Sequence, residues 1–206
     1  MKIGILISGR GSNMVAIVEA VQSGQIPDSK VVVVICDRSS ADGIQKAIDR
    51  NIETVVVTRR AKTRTREEHD SEMIAELKKR GVELVCLAGY MRLLSKIFVR
   101  TFPNQILNIH PSLLPAFPGL EAQQQAIDYG VKISGCTVHF VDEHLDHGAI
   151  ILQKAVPVKD DDTAETLSER ILEDEHTLYI KAIKQLVTGK VEIDGRRVIA
   201  EWLKAV

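Results

Sequence analysis

The segment from Leu107 to Pro115 contains two side chains whose types and spacing could support chemistry. Asn108 and His110 are two residues apart at the end of an apolar run, and Pro111 follows directly. In a β-strand such residues share a face, and a proline ends the ladder, so we expect both side chains to face one way at a strand end. An amide donor beside a titratable ring could polarise a carbonyl group and move a proton. The pair could equally be a histidine that caps a strand and an asparagine that makes a turn.

The composition excludes several classes of protein. The chain has 206 residues, of which 45% are hydrophobic and 27% charged, and its net charge is −1 with neutral histidines. A charge this small provides no global field to attract nucleic acid or a membrane surface. No segment approaches the roughly 20 apolar residues that span a bilayer, and the apolar N-terminal run is too short for a signal peptide. We expect neither nucleic acid nor a membrane as a partner, and the sequence does not distinguish a monomer from a homodimer.

Cysteine and histidine usage adds two expectations. Three cysteines lie in or beside apolar, strand-like runs, namely Cys36, Cys86 and Cys136. An odd number of buried thiols is typical of reduced cysteines, which predicts a cytoplasmic protein. His139, His144 and His147 are close in sequence, but their spacing matches no metal signature, so we expect no metal site.

The first half of the chain alternates short apolar segments with helical patterns. We predict strands at 2–7, 31–36, 54–57, 84–88 and 106–109, helices at 14–21, 42–50 and 67–79, and a short helix that Ser95 could cap and that ends at about residue 101. The basic run 59–66 lacks periodicity and is predicted to be a loop. Alternation of this kind predicts βαβ crossovers and a parallel sheet, whose ligands bind beyond the carboxyl ends of the strands. The turn after the first strand, the loop after the fourth and the Asn108/His110 pair all fall there, which favours a functional role for the pair.

The first predicted strand is followed by a glycine-rich turn, Ser8 to Asn13, and then by a helix. Strand, turn and helix in this order aim backbone N–H groups at an anion. Met14 stands where a dinucleotide fingerprint has its third glycine, and no Walker motif follows, so we favour a single phosphate. We expect Ser12 or Asn13 to cap the helix. A tight turn without a ligand is the alternative.

The pattern changes in the second half of the chain. We predict a helix at 122–129, an antiparallel hairpin of strands 134–141 and 149–158 around an acidic loop, a long helix at 163–187, and a terminal hairpin that ends near Trp202. The predicted fold class is α/β, a Rossmann-like, mostly parallel sheet with flanking helices, C-terminal antiparallel strands and a long helix. We expect a single domain over residues 1–206.

Together these segments resemble the glycinamide ribonucleotide formyltransferases, folate-dependent enzymes of purine biosynthesis. The resemblance runs essentially end to end and is carried by Ile7–Asn13, Leu87–Leu94, Asn108–Pro115, Phe117–Gly119, Val138–Val141, Leu145 and Asp146. The Asn-x-His-Pro-Ser-Leu-Leu-Pro run is specific to folate-dependent formyltransferases and hydrolases. The Gly-Ser-Asn turn narrows the resemblance to the glycinamide ribonucleotide branch.

The resemblance implies transfer of a formyl group from 10-formyltetrahydrofolate to the amine of N1-(5-phospho-D-ribosyl)glycinamide, without a metal. It assigns catalysis to Asn108, His110 and Asp146. It assigns substrate binding to Gly11, Ser12 and Asn13 at the phosphate and to Glu175 at the glycinamide end. It assigns folate binding to Arg66, Met91, Arg92, Leu93, Leu94 and Asn108. The half at about 1–105 would bind phosphate, and the half at about 106–206 would hold the folate and the catalytic residues.

This assignment fits elementary chemistry. Attack of an amine on a formyl carbonyl builds an oxyanion, to which the Asn108 amide and a protonated His110 could donate. A carboxylate near an imidazole favours its charged form, which Asp146 would do if its loop folds over the strand ends. The substrate brings the nucleophile, so we interpret Ser112 as structural. The sequence leaves open whether Arg92 meets a ligand or a structural carboxylate.

The chain departs from the family pattern at two places. Glu121 stands where the family commonly has a histidine, and it is followed by Gln123. His147 stands between Asp146 and Gly148, where the family often has a small residue. These departures could change how the acidic loop lies or shift the pH optimum, but they leave the three catalytic positions intact.

Three other functions compete with this interpretation. A formyltetrahydrofolate hydrolase would use the same three residues but pass the formyl group to water, and usually has an additional N-terminal regulatory domain, whereas this chain begins at its first strand. A methionyl-tRNA transformylase usually has an additional RNA-binding domain. A non-catalytic phosphate- or nucleotide-binding module would need the turn at Gly11 but not Asn108, His110 and Asp146.

Overall fold

The computed structural model describes residues 1–59 and 63–201. The chain forms two compact units, Met1–Leu107 and a second that begins at Asn108. Part of the predicted basic loop, residues 60–62, and the predicted end of the terminal hairpin at residue 202 lie outside the described residues. Within the part of the chain that is described, no helix is both long and apolar enough to cross a bilayer.

The first unit alternates strands and helices. Its elements are β1 (Lys2–Ile7), α1 (Ser12–Gln22), β2 (Lys30–Cys36), α2 (Asp42–Ile48), β3 (Thr54–Val56), α3 (Arg66–Lys79), β4 (Leu84–Leu87) and α4 (Lys96–Thr101). The strands lie in the order β3-β2-β1-β4, and every pair is parallel. Residues of both faces of β1 and β2 are buried, which explains why these strands are almost continuously apolar. The predicted parallel sheet is confirmed.

The helix after the glycine-rich turn begins differently from our prediction. Its N-cap is Gly11, whose φ of 70° is in the left-handed region, and no side chain caps the helix. Ser12 and Asn13 are therefore the first residues of the helix, and the expectation that one of them caps it is wrong. The left-handed conformation explains the difference, because glycine adopts it without steric cost.

The start of α3 corrects a second boundary. Arg66, expected in the basic loop, is the first residue of the helix, because Thr65 and Glu68 form a capping box. The Thr65 hydroxyl accepts a hydrogen bond from the Glu68 amide, and the Glu68 carboxylate accepts one from the Thr65 amide. Farther along, Ser95 caps α4 as the position of a serine before a short helical pattern suggests.

The second unit contains antiparallel strands and a long helix. Strand β5 (Ile106–His110) runs from the first unit into the second, which then contains α5 (Ala122–Tyr129), β6 (Ile133–Phe140), β7 (Ile150–Pro157), α6 (Ala164–Thr188), β8 (Val191–Asp194) and β9 (Arg197–Ala200). β6 and β7 form the predicted antiparallel hairpin, and β8 and β9 form a second hairpin. β9 is parallel to β7. The predicted fold class is confirmed.

Helix α6 is the longest element of the second unit. It begins one residue later than predicted, since Thr163 is its N-cap in a capping box with Thr166. Its buried face includes Leu167, Ile171 and Tyr179, and the helix packs on β6 and β7.

The three cysteines are free and buried, in agreement with the prediction of reduced thiols. Burial raises the pKa of the Cys136 thiol to about 12, and the nearby carboxylates of Glu175 and Asp174 act in the same direction. Burial also raises the pKa of Cys36.

Candidate active site

Asn108 and His110 lie on one face at the end of β5, as their spacing predicts. The segment that follows them is fixed by Thr137, a fully buried residue of β6. The Thr137 hydroxyl donates to the Ser112 carbonyl oxygen at 2.7 Å and accepts from the Leu114 amide at 3.1 Å. The Ser112 hydroxyl donates to the Ala116 carbonyl oxygen at 2.5 Å, which agrees with the structural role expected for it.

The His110 ring lies between a backbone carbonyl and the carboxylate of Asp146. Its Nε2 atom is 2.8 Å from the Phe117 carbonyl oxygen, and its Nδ1 atom is 3.4 Å from Asp146 Oδ2. The same Oδ2 atom accepts a hydrogen bond from the Gly119 amide at 2.8 Å. Both ring nitrogens therefore face acceptors, an arrangement that a ring with a proton on each nitrogen satisfies in full.

The loop between β6 and β7 brings Asp146 to His110. Asp146 has a φ of 46°, an uncommon conformation for a residue with a side chain. Two residues later, a Cβ atom on Gly148 would lie 1.9 Å from the Phe140 carbonyl oxygen, so only glycine fits there. The Phe140 amide donates to the Ala149 carbonyl oxygen at 2.9 Å and closes the loop. The loop thus folds back as the mechanism inferred from the sequence requires.

His139 lies in the same cluster. In the sequence we considered it as a possible metal ligand and included it in the segment Val138–Val141 that carries the resemblance, but assigned it no catalytic role. It is almost completely buried, its Nδ1 atom is 2.8 Å from the Phe140 carbonyl oxygen, and its Nε2 atom is 3.3 Å from Asn108 Nδ2. A carbonyl oxygen only accepts, so Nδ1 holds the proton and Nε2 accepts from the Asn108 amide. Burial lowers the pKa of His139 and favours this neutral ring, although the Phe140 carbonyl and the Asp146 carboxylate oppose the shift.

The Asn108–His139 contact has a direct chemical consequence. It fixes the orientation of the Asn108 amide, with one N–H on His139 and the second N–H left for another acceptor. His139 Nε2 also lies 3.8 Å from Asp146 Oδ1. One signal in the sequence could have found His139: it alternates with Thr137 on a strand that is buried on both faces, where polar side chains need specific partners.

The geometry restricts one expected role of His110, donation to the oxyanion. Donation from its ring to an oxyanion requires the ring to give up its contact with Phe117 or with Asp146, because both nitrogens are engaged. The Asn108 amide needs no such exchange. The four side chains Asn108, His110, His139 and Asp146 together can orient a carbonyl group, donate to its oxygen and hold a proton.

In the first unit, the glycine-rich turn ends at Gly11, and Ser12 and Asn13 begin α1; the resemblance assigns these three residues to the substrate phosphate. Gly11 and Gly43 approach closely, since a Cβ atom on Gly11 would lie 2.9 Å from the Gly43 Cα atom. The Gly43 amide donates to the Gly9 carbonyl oxygen at 3.1 Å, and Lys46 Nζ donates to the Arg10 carbonyl oxygen at 2.9 Å. The turn is therefore held in place by residues of α2, and it precedes the N-terminus of α1, where backbone N–H groups can bind an anion.

The segment expected to bind folate, Met91 to Leu94, follows β4 in the same unit. Ser8 connects it to the glycine-rich turn, because its hydroxyl accepts from the Met91 amide at 3.0 Å and its amide donates to the Gly89 carbonyl oxygen at 3.1 Å. The side chains of Met91 and Leu93 are 58% and 51% exposed. Apolar side chains exposed in a loop at the carboxyl end of a parallel strand are available to an apolar ligand.

Arg92 has a structural partner. Its Nε atom donates to Asp37 Oδ2, and the Asp37 side chain is fully buried at the end of β2. A buried carboxylate needs such a pairing, so the structural carboxylate considered from the sequence is present. A contact between Arg92 and folate stays a prediction.

The two remaining predicted binding residues lie on helices. Arg66 is at the N-terminus of α3 and is exposed. Glu175 is on the buried face of α6. Their contacts with ligands stay predictions.

Comparisons with known proteins agree with the resemblance noted in the sequence. A family model described as formyl transferase matches residues 1–183. The chain belongs to the formyl transferase family. The phosphoribosylglycinamide formyltransferase of Bacillus subtilis is 40% identical to it over 186 residues, which are 90% of this chain and 94% of that protein. The glycinamide ribonucleotide transformylase 1 of Symbiobacterium toebii is 50% identical, with a TM-score of 0.94 over 97% of this chain and 93% of that chain.

Some relatives of this formyl transferase domain are much longer. The human protein named trifunctional purine biosynthetic protein adenosine-3 is 40% identical over 203 residues, which are 98% of this chain but 20% of that protein. The Drosophila melanogaster protein of the same name is 45% identical over 189 residues, 91% of this chain and 14% of that protein. The chain thus corresponds to one part of the trifunctional proteins and to nearly the whole of the bacterial enzymes.

Proposed function

We propose that this formyl transferase moves the formyl group of 10-formyltetrahydrofolate to the amine of N1-(5-phospho-D-ribosyl)glycinamide. The products are N2-formyl-N1-(5-phospho-D-ribosyl)glycinamide and tetrahydrofolate, in purine biosynthesis. One observation carries the proposal: Asp146 Oδ2 lies 3.4 Å from His110 Nδ1. His110 is at the end of β5, the strand that also contains Asn108.

In the proposed reaction the amine lone pair attacks the formyl carbon, and the carbonyl π electrons move to oxygen. The free N–H of Asn108, oriented by His139, donates to the oxyanion. The oxyanion then collapses and expels N10 of the folate. A protonated His110 supplies the proton that N10 gains, and the Asp146 carboxylate accepts the proton that the attacking amine loses. Proton transfer from Asp146 back to His110 then restores the pair.

Substrate binding is proposed for the residues at the carboxyl ends of the first-unit strands and for α6. Gly11, Ser12 and Asn13 would bind the phosphate through backbone N–H groups at the start of α1. Arg66, the segment 91–94 and Asn108 would bind folate, and Glu175 would bind the glycinamide end. We further propose that the enzyme is cytoplasmic, acts on small molecules without nucleic acid or a catalytic metal, and is a monomer or homodimer.

One assay distinguishes the competing functions. The purified chain is supplied with 10-formyltetrahydrofolate, with and without glycinamide ribonucleotide, and release of tetrahydrofolate is followed. We expect release only when the amine acceptor is present. Release without it would indicate the hydrolase. No release under either condition would indicate a non-catalytic module or a transformylase with another acceptor.

A variant tests the role of His110. His110→Ala should lower kcat by about 10³-fold, because proton transfer and the anchor of Asp146 are both lost. The affinity for glycinamide ribonucleotide, measured by calorimetry, should change by less than about threefold, because the phosphate site is formed by other residues. Turnover close to that of the wild type would overturn the proposed mechanism, and His110→Gln checks that the result does not come from a cavity.

A further inference from the structure

The loop that contains Asp146 also contains a second cluster of polar side chains. Asp142, His144 and His147 each present one potential ligand atom, and these atoms lie within 4.8 Å of one another. His147 Nδ1 is 2.7 Å from Asp142 Oδ2, and His144 Nδ1 is 3.8 Å from Asp142 Oδ1. The two imidazole rings lie beside each other, with their centroids 5.1 Å apart.

We propose that Asp142, His144 and His147 form a binding site for a divalent transition metal such as Zn²⁺, which holds the loop that contains Asp146. Two imidazole nitrogens and one carboxylate oxygen are the ligand types that Zn²⁺ accepts, and solvent can provide the fourth ligand. Donors about 2.1 Å from a tetrahedral Zn²⁺ lie about 3.4 Å from one another. The distances from Asp142 oxygens to His147 Nδ1 and His144 Nδ1 are 2.7 and 3.8 Å, one below and one above this value. Small side-chain rotations would therefore bring the three ligand atoms to tetrahedral spacing.

The cluster is accessible and partly pre-organised. The side chains of His144, His147 and Asp142 are 75%, 44% and 39% exposed, so a metal can enter from solvent. Asp142 Oδ1 accepts a hydrogen bond from the His144 amide at 2.8 Å, which orients the carboxylate before a metal binds. The metal would take the Nδ1 lone pairs of both rings, and each ring would then hold its proton on Nε2.

The site is distinct from the proposed catalytic cluster but linked to it along the chain. Asp146 stands between His144 and His147, so a metal bound to both histidines restricts the backbone on each side of it. His147 is also the departure from the family pattern noted in the sequence. The expectation that the loop histidines bind no metal rested on their linear spacing, which did not consider Asp142 as a third ligand.

Calorimetric titration of the tag-free full-length protein with ZnCl₂ tests the proposal. We expect one Zn²⁺ per chain, with an affinity reduced at least about 10-fold in His144→Ala and in His147→Ala. Glu143→Gln is the matched control, because it removes an exposed carboxylate between two of the ligands but outside the cluster. Equal affinity in the wild type and both histidine variants would overturn the site.

Two further measurements locate the metal and test its effect on the loop. In NMR spectra, ZnCl₂ should shift the Nδ1 resonances of His144 and His147 but not those of His176. Amide hydrogen exchange over residues 143–148 should slow by at least about threefold with Zn²⁺ in the wild type and stay unchanged in His147→Ala. Binding without slower exchange would show that the metal does not hold the loop. Neither measurement depends on formyl transfer, so failure here is distinguishable from failure of the proposed function.

Discussion

The two units each contain a histidine–aspartate pair with nearly the same geometry. In the first unit, His69 has Nε2 2.8 Å from the Val57 carbonyl oxygen and Nδ1 3.2 Å from Asp70 Oδ1. In the second, His110 has Nε2 2.8 Å from a carbonyl oxygen and Nδ1 3.4 Å from Asp146. A ring held between a carbonyl and a carboxylate is therefore not by itself a sign of catalysis.

The surroundings of the two pairs differ. Asp70 follows His69 on α3, and its second oxygen accepts from the Ser95 amide at 2.6 Å, so this pair ties α3 to the start of α4. The side chains of His69 and Asp70 are 1% and 2% exposed, against 6% and 9% for His110 and Asp146. Of these two pairs, the second includes a residue at a strand end, His110, which shares its strand with the side-chain amide of Asn108. From this difference we propose a catalytic role for the second pair and a structural role for the first.

The largest expected effect is on catalysis by the second pair. Asp146→Asn removes the charge beside His110 while keeping the shape of the side chain, and we expect kcat to fall by about 10²–10⁴-fold. Asp160→Asn, which changes an exposed carboxylate paired with Lys132, is the matched control. Steady-state kinetics of both variants provides the measurement, and an Asp146→Asn enzyme as fast as the control would remove Asp146 from the mechanism.

The first pair should respond in the opposite way. Asp70→Asn leaves His69 without its buried carboxylate and weakens the link to α4, so we expect the free energy of unfolding to fall by about 2–4 kcal/mol. Urea denaturation measures this loss. The kcat of the folded variant should stay within about threefold of the wild type, because a structural pair does not contribute to the transition state. A large fall in kcat without a fall in the free energy of unfolding would contradict the structural role of the first pair.

His139 provides a smaller test of the catalytic role proposed for the second pair. His139→Phe removes the acceptor of the Asn108 amide, and we expect kcat to fall by about 10–100-fold through misorientation of that amide. The KM for glycinamide ribonucleotide should change little, which separates a loss of positioning from a loss of substrate binding. His139→Gln, which retains an acceptor, should recover part of the rate; a phenylalanine variant with normal kcat would contradict the positioning role.

The smallest expected effect is on the pH dependence of stability. Burial lowers the pKa of His139, so below its ordinary value of about 6.5 the unfolded chain binds a proton that the folded chain does not. The free energy of unfolding should therefore decrease as the pH falls below about 6.5, by up to about 1.4 kcal/mol per pH unit from this group. Denaturation at pH 7.5 and 5.5 should show a smaller decrease in His139→Phe than in the wild type, and equal decreases would be evidence against a buried neutral ring.

Much of the fold followed from the sequence because its signals are local. The alternation of apolar segments and helical patterns predicted the parallel strands of the first unit, and the turn-separated strands at 134–141 and 149–158 predicted the antiparallel hairpin. The shared face of Asn108 and His110 follows from the period of a strand. The start of α1 was missed because it depends on the left-handed backbone of Gly11, which the sequence does not specify.

The site was only partly predictable because its contacts join residues that are distant along the chain. The resemblance named Asp146, but its approach to His110 depends on a loop conformation that includes a positive φ. The contact of His139 with Asn108 depends on how β5 and β6 are placed, and the loop cluster depends on Asp142 turning back toward two histidines. The spacing of residues along the sequence does not predict these distances between side chains.

The buried state of the three cysteines makes the protein convenient for site-specific labelling. Since the Cys136 thiol has a pKa of about 12 and the other two are also enclosed, a maleimide dye should leave the native thiols unmodified in the folded chain. Leu145 is 52% exposed and adjacent to Asp146, so a dye attached through Leu145→Cys would report on movements of this loop without prior removal of any natural cysteine.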